Sequence, residues 1–339
     1  MQKKNRFKII VVFLISIGLV MTQTSCGKAE KVEDTGFYLD TSCSIEIDNM
    51  TKEEGLHLID NAFKECDRYE HLLSRTLEGS DIYKINHAKG KKVEVSDETI
   101  EILNKALVIC EESDGLFDIT VGKLTSLWNF SSDNPKVPSQ SSIDTALKTI
   151  DYHNLVIDGN NVQLKNPDTW LELGAIAKGY IADKLAAYLE DNGVTSGLVN
   201  LGGNIVTIGN AHNGSDDWNI GIAAPYTHHE DIVGSVRMSN ETVVTSGVYE
   251  RFFEENGKKY HHVLNPKTGY PVETDILGIS IKGAEANSAL CDGYSTTCLL
   301  LGSKGTQRYM NDKTDFSYVI IKTDGSVKEY NNFGLEPVE

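Results

Sequence analysis

Beyond Gly193 the chain offers strand after strand with no helix between them: 196–201, 205–208, 218–222, 234–238 and 242–245 read as a meander, and 276–281 adds another. Ahead of them, apolar residues recur at helical spacing over 52–73, and a second helix is predicted at 97–113. The clearest helix places Ala177, Ile181, Leu185 and Tyr188 on one face, with Gly193 positioned to end it. A doubly wound parallel sheet needs regular strand–helix–strand alternation, and this chain lacks it. The expected class is therefore α+β. A strand is also expected at 43–47. The stretch 127–166 reads as loop-rich, with a hairpin at 155–157 and 162–164 around Asp158-Gly-Asn-Asn161.

The first residues set the compartment. Lys3, Lys4, Arg6 and Lys8 precede an apolar run over 9–21 that stops at Thr24-Ser25-Cys26, the charged, apolar, small order of an export signal. The run is short for a bilayer span. A cysteine straight after small residues resembles a bacterial lipobox, which makes Cys26 the expected lipidation site, although Gln23 stands where the box usually has leucine. An ordinary secreted protein cut nearby would show the same charge and length pattern. The expected organisation is a leader over 1–25, a flexible tether over 26–36 and one globular domain over 37–339. The formal charge of −17 becomes −21 once the four positive charges of the leader are removed. Such a surface repels phosphate backbones and anionic headgroups, so no nucleic-acid partner and no polybasic membrane contact are expected. An anionic ligand would need a local positive device such as a helix N-terminus, a lysine or a divalent cation. Cys43, Cys66, Cys110, Cys291 and Cys298 are odd in number and widely spaced, and read as small buried apolar residues rather than a disulfide frame.

Four segments could carry chemistry. Glu172-Leu-Gly-Ala-Ile-Ala-Lys-Gly179 leads into the clearest helix; its small residues would let backbone N–H groups approach a phosphate, and Lys178 adds a cation. Tight helix-on-sheet packing would account for the same glycines. In Asp292-Gly-Tyr-Ser-Thr296, a helix would put Asp292, Ser295 and Thr296 on one face, a hard-oxygen set suited to magnesium, or equally a capping Asp with hydroxyls bonding back to the helix. In Tyr260-His-His-Val-Leu-Asn-Pro, strand alternation sends His261 and His262 to opposite faces, so only one can serve a site as a proton acceptor. A surface histidine beside a turn is the plain alternative. In Asp114-Gly-Leu-Phe-Asp-Ile-Thr120, Phe117 could stack on a planar ring and Asp118 accept from a base edge or ribose; a buried Phe and a capping Asp fit too.

Taken in order, seven elements resemble the FAD:protein FMN transferase family, the ApbE-like flavin-trafficking lipoproteins. They are Leu73-Ser-Arg with Ser80-Asp-Ile-Tyr-Lys-Ile-Asn86, Gly115-Leu-Phe-Asp-Ile-Thr120, Leu173-Gly-Ala-Ile-Ala-Lys-Gly-Tyr180, Asn200-Leu-Gly-Gly-Asn204, Thr245-Ser-Gly-Val-Tyr249, His262-Val-Leu-Asn-Pro-Lys-Thr-Gly269 and Asp292-Gly-Tyr-Ser-Thr296. The match runs from about Phe37 to Gly302. The resemblance implies an ApbE-like, T-fold-related arrangement of mixed sheets with packed helices. It implies FAD held by Leu39, Thr76, Leu116, Phe117, Asp118, Glu172, Lys178 and Leu264, with Leu39 and Thr76 departing from the methionine and aromatic common in the family. It implies Mg2+ on Ala175 (through its carbonyl), Asp292, Ser295 and Thr296, with Ser295 replacing an aspartate found in some members, and His262 as catalytic base. The implied reaction moves FMN from FAD to a Thr or Ser hydroxyl of an extracytoplasmic flavoprotein with release of AMP. The implied acceptors are subunits of Rnf or sodium-pumping NADH:quinone reductase complexes, or secreted flavin reductases. The implied location is the outer face of the cytoplasmic membrane, through the lipid anchor. A magnesium-dependent FAD pyrophosphatase using the same site, and a flavin-binding lipoprotein without chemistry, are the alternative readings.

Overall fold

The computed structural model of the chain describes residues 30–211, 217–226 and 231–338. The expected leader and Cys26 lie outside the described residues. From Glu30 the chain is already a strand: Glu30–Tyr38 (β1) pairs antiparallel with Thr41–Met50 (β2). Residues 30–36 of the expected tether are thus part of the fold. Val32, 3% exposed, is the buried residue of this polar stretch, and it packs where a Cβ on Gly55 would stand 3.0 Å from its Cγ2. One buried side chain leaves no alternation to read.

The helices and small sheets of the first half follow. Lys52–Leu73 (α1) starts at a capping box, with Thr51 Oγ1 accepting from the Glu54 N–H and Glu54 reaching back to Thr51. It buries Ile59, Ala62, Phe63, Cys66, Tyr69 and Leu73 along one stripe. Next come Asp81–His87 (α2), Val93–Glu94 (β3) and Asp97–Glu112 (α3). Gly122–Trp128 (α4) ends as the expected loop region begins, and that region holds a further helix, Gln140–Leu147 (α5), before the hairpin Leu155–Asp158 (β4) and Asn161–Leu164 (β5). Both helices are short. They bury Leu124, Trp128, Ile143 and Ala146 in a satellite core of their own, too few residues to establish a period.

Ala177–Asp191 (α6) buries Tyr180, Ile181, Leu185, Ala186 and Leu189, and Gly193 follows it at φ 89°, a conformation glycine adopts without strain. The second half runs Gly197–Leu201 (β6), Asn204–Ile208 (β7), Trp218–Ala223 (β8), Ile232–Met238 (β9), Glu241–Gly247 (β10), Phe252–Glu255 (β11) and Lys258–His261 (β12). Then come Ile276–Ala284 (β13), Ser288–Met310 (α7), Ser317–Lys322 (β14), Val327–Tyr330 (β15) and Glu336–Pro337 (β16).

The central sheet has eight strands in the order β1-β2-β6-β7-β10-β13-β14-β15, with antiparallel pairing throughout. The expected meander is broken, because β8 and β9 leave this sheet for a second one, in which β9 pairs with both β8 and β16. Their inward residues Trp218, Ile220, Ile222, Val236 and Met238 pack with Val243, Val319 and Phe333, and with Leu198 and Ile205. The opposite face of the large sheet carries the main core with α1, α3, α6 and α7. Burying both faces of β7 and β10 is what requires the second layer, and alternation within one strand cannot tell which partner covers which face. The five cysteines expected to be buried and unpaired are so.

Candidate active site

The site is built where the N-terminal turns of α6 and α7 meet. At Gly179 a Cβ would fall 2.2 Å from the Ser288 carbonyl oxygen, so glycine lets the two helices approach to backbone contact. That approach brings Asp292, 2% exposed, under the start of α6. Its Oδ2 accepts from the Gly179 N–H at 3.0 Å and its Oδ1 lies 3.7 Å from Lys178 Nζ. The Gly179 N–H is one of the helix-start donors that has no acceptor within α6, and Asp292 supplies one. Ser295 is fully buried one turn along α7. Its hydroxyl donates to the Asp292 carbonyl at 2.8 Å and lies 2.7 Å from Ser246 Oγ of β10. With its proton spent on Asp292, Ser295 accepts from Ser246 and retains one lone pair. Thr296 stands beside it, half-buried.

A second set of groups faces Lys178. His262 follows β12 directly; its N–H donates to the Arg251 carbonyl at 3.0 Å, and its Nδ1 lies 3.3 Å from the same oxygen. Nδ1 is therefore the protonated nitrogen, and Nε2 keeps the lone pair. Desolvation, and then the charges of Arg251 and His261, push the imidazole pKa down to about 3; the Arg251 carbonyl opposes this and Lys178 adds to it. His261 turns elsewhere, its Nε2 3.0 Å from the Val272 carbonyl. Glu250 is exposed at the edge of the site; desolvation by its neighbours raises its pKa, Lys178 opposes this and Asp292 adds to it. Glu250 Oε1 accepts from Gly247 N at 3.1 Å. The Arg251 guanidinium reaches the Asp40 carbonyl at 3.5 Å, which ties the β1–β2 turn to the same wall. In that turn Leu39 and Asp40 have φ of 55° and 58°, the pair of left-handed residues a two-residue hairpin requires. The Leu39 N–H donates to Glu70 at 3.0 Å.

On the other side, Glu172 is held by an ion pair with Arg75 and by the Gly174 N–H at 2.9 Å, and its own N–H donates to the Ile119 carbonyl at 2.8 Å. Thr76 is exposed beside Arg75, its N–H on Ser74 Oγ. Leu116 is half-buried against the main core, and Leu264 packs against the satellite core around Trp128. The two remaining expectations meet a different placement. Phe117 is 3% exposed within the main core, and its ring is packed by protein. Asp118 Oδ1 accepts from Thr120 N and Oγ1 at 2.8 and 2.6 Å, and Oδ2 from Tyr152 N at 3.1 Å, so this carboxylate organises a turn. Both take the structural role that a glycine turn followed by Phe-Asp also allows.

Sequence reasoning named Lys178, Asp292, Ser295 and His262, and the structure gathers them. It missed Arg75, Ser246, Glu250 and Arg251. Arg75 and Ser246 lay inside recognised motifs without a role, and Glu250-Arg251 directly follow Thr245-Ser-Gly-Val-Tyr249. Among the described residues no group of three or more His, Cys, Asp or Glu side chains gathers to hold a metal. A recess of about 430 Å³ lined by Lys304, Gln307, Arg308 and Asn311 contains none of these residues.

Against known proteins, the model of the ApbE family matches residues 39–320. The chain belongs to the ApbE family. A FAD:protein FMN transferase of Klebsiella pneumoniae (strain 342) is 34% identical over 248 residues, 72% of this chain and 75% of its own length. One from Treponema pallidum (strain Nichols) is 31% identical over 316 residues, 88% of this chain and 85% of its own. Among solved structures, the ApbE protein of Thermotoga maritima aligns with a TM-score of 0.83 at 30% identity, covering 91% of this chain and 100% of that one. The α+β architecture is thus the ApbE fold.

Proposed function

We propose that this ApbE-family chain is a FAD:protein FMN transferase that uses a divalent cation, magnesium by its donor set, and releases AMP. The observation that carries the reading is the contact of Lys178 with Asp292 at the α6–α7 junction, with His262 near enough for the Lys178 charge to act on it. The names of the relatives support transfer of FMN from FAD to protein.

The donor set fits a small hard cation. Asp292 supplies one buried carboxylate, Ala175 would offer its carbonyl just ahead of α6, and Ser295 keeps a lone pair; Thr296 adds a hydroxyl. A site with a single carboxylate leaves coordination positions for substrate phosphate and water, as magnesium prefers. When bound, the cation would neutralise charge on the pyrophosphate.

The chain's own residues do the rest. Lys178 at the α6 N-terminus provides positive charge where the phosphates must lie, in a protein whose formal charge is −17. His262, neutral at physiological pH, offers Nε2 to the acceptor hydroxyl and takes its proton. The hydroxyl oxygen then forms a bond to the FMN-side phosphorus, the bridging P–O bond breaks, and AMP leaves with the electron pair. No covalent enzyme intermediate is needed.

The test mixes purified protein with FAD, Mg2+ and an acceptor flavoprotein domain. A fluorescent acceptor band that survives denaturation, with released AMP, is the expected result. FAD consumption without a labelled band would mean hydrolysis by water instead. Membrane flavoprotein subunits of the Rnf or sodium-pumping reductase type, and secreted flavin reductases, are the acceptors to try first. Export and anchoring through Cys26 belong to the same proposal. Cys26→Ala should move the protein from the membrane to the soluble extracytoplasmic fraction.

A further inference from the structure

Asn204 opens β7 and is 0% exposed, and neither Oδ1 nor Nδ2 of its carboxamide has a hydrogen-bonding partner in the protein. Buried polar side chains are nearly always satisfied, so an amide with both ends unmet points to a further group at that position. Two independent features of the fold locate it.

The first is the sheet. Val206 and Ile208 belong to the helix-side core and Ile205 to the other, so Asn204 faces the helices. It stands opposite Val244 of β10. On that face of β10 the next residue toward the site is Ser246, whose hydroxyl lies 2.7 Å from Ser295. Diagonal neighbours of this kind lie ~7–8 Å apart, with their side chains nearer. The second is the helix above. The C-terminal end of α6 leads through Gly193 into β6, whose first residue Gly197 pairs with Ile208. Packed on β6 and β7, α6 runs back over the sheet, so its first turn, with Lys178 and Gly179, lies above the end where Asn204 pairs with Leu201.

We infer that Asn204 is a positioning residue of the divalent-cation site, resting on the reading of Asp292 and Ser295 as its ligands. Its enclosure leaves no approach for a phosphate, and the group it lacks must be small. A cation's outer shell presents water protons, which Oδ1 accepts, and the diagonal neighbour Ser246 links this position to Ser295. The role is to hold the coordinated water in place from beneath.

The experiment measures Tm of the full chain in chelator and across a MgCl2 titration, for wild type, Asn204→Leu, Asn204→Asp and Asp292→Asn. Asn204→Leu should melt at or above wild type in chelator, because two unmet polar groups are removed. Its half-saturating Mg2+ concentration should nevertheless rise roughly 10–100-fold. Asn204→Asp, which keeps the acceptor oxygen, should stay within a few-fold of wild type. A Mg2+ midpoint unchanged in Asn204→Leu overturns the inference. If Asn204→Leu fails to fold, Asn204→Ser is titrated in its place, and an unchanged midpoint there overturns it too. A wild-type Mg2+ shift that vanishes in Asp292→Asn but persists in Asn204→Leu removes the Asn204 role alone. A wild-type protein with no Mg2+ shift, or a full shift in Asp292→Asn, removes the cation reading itself and the inference with it.

Discussion

Lys178 and Asp292 face each other at 3.7 Å across the junction of α6 and α7, with Asp292 almost wholly buried and Lys178 about a quarter exposed. The buried acid has one cationic neighbour, the ammonium, and accepts a hydrogen bond from the Gly179 N–H at a helix start. Such a carboxylate is poised to share its charge with a cation. Asp292→Asn should therefore lower transfer at least ~100-fold, in line with loss of a main electrostatic group. Folding should change by only about 1 kcal/mol, because the partially exposed Lys178 can be solvated. Steady-state FMN transfer and thermal melting measured together check this, and undiminished transfer would remove the carboxylate from the mechanism.

His262 sets the pH behaviour. Its pKa is depressed to about 3 from 6.5, so the unfolded chain takes up this proton first. The associated stability is present above 6.5 and is lost as pH falls through about 3. For catalysis the imidazole stays a free base across neutral pH. The kcat/KM profile of the free enzyme should show no histidine limb between about pH 5.5 and 8. Desolvation is the first cause of the depression and the Arg251 charge the second, so Arg251→Met should move the acid limb up only in part. His262→Ala should abolish transfer while His261→Ala keeps most of it; equal loss in both would reverse the assignment.

Gly179 tests the helix junction. An added methyl would meet the Ser288 carbonyl at 2.2 Å, and the obstacle is backbone. Gly179→Ala should cost ~1–3 kcal/mol through forced separation of α6 and α7. It should weaken transfer more than its stability loss explains, because the Asp292 hydrogen bond spans the same gap. Urea unfolding compared with kcat at 15 °C separates the two effects.

Away from the site, Glu285 is raised to about 7 by burial and by Glu190, close to Asp183, itself raised to about 6 chiefly by burial. A carboxyl with a raised folded pKa contributes stability below its unfolded value, and that contribution is lost as pH rises through the folded one. Glu285→Gln should therefore leave Tm near wild type at pH 4.5 and raise it progressively toward pH 8. After allowance for solvent screening the gain is on the order of 1 kcal/mol. A Tm difference that is flat with pH would remove this carboxyl pair as its source.

Local pattern determined a great deal here. The α1 boundaries, the α6 stripe, the β4–β5 hairpin and the buried cysteines follow from residue spacing, because those elements bury one face against whatever lies beneath. The motifs carrying Lys178, Asp292 and His262 were legible as a resemblance. Tertiary structure decided the rest. It packed Phe117 and spent Asp118 on Thr120 and Tyr152, took β8 and β9 into a second layer, and brought Glu250, Arg251 and Ser246 to the site. The hydrogen bond from Gly179 to Asp292 joins positions 113 residues apart. Spacing within a helix says which face is buried, but only close packing of two helices over the sheet says which residue of the other helix that face will meet.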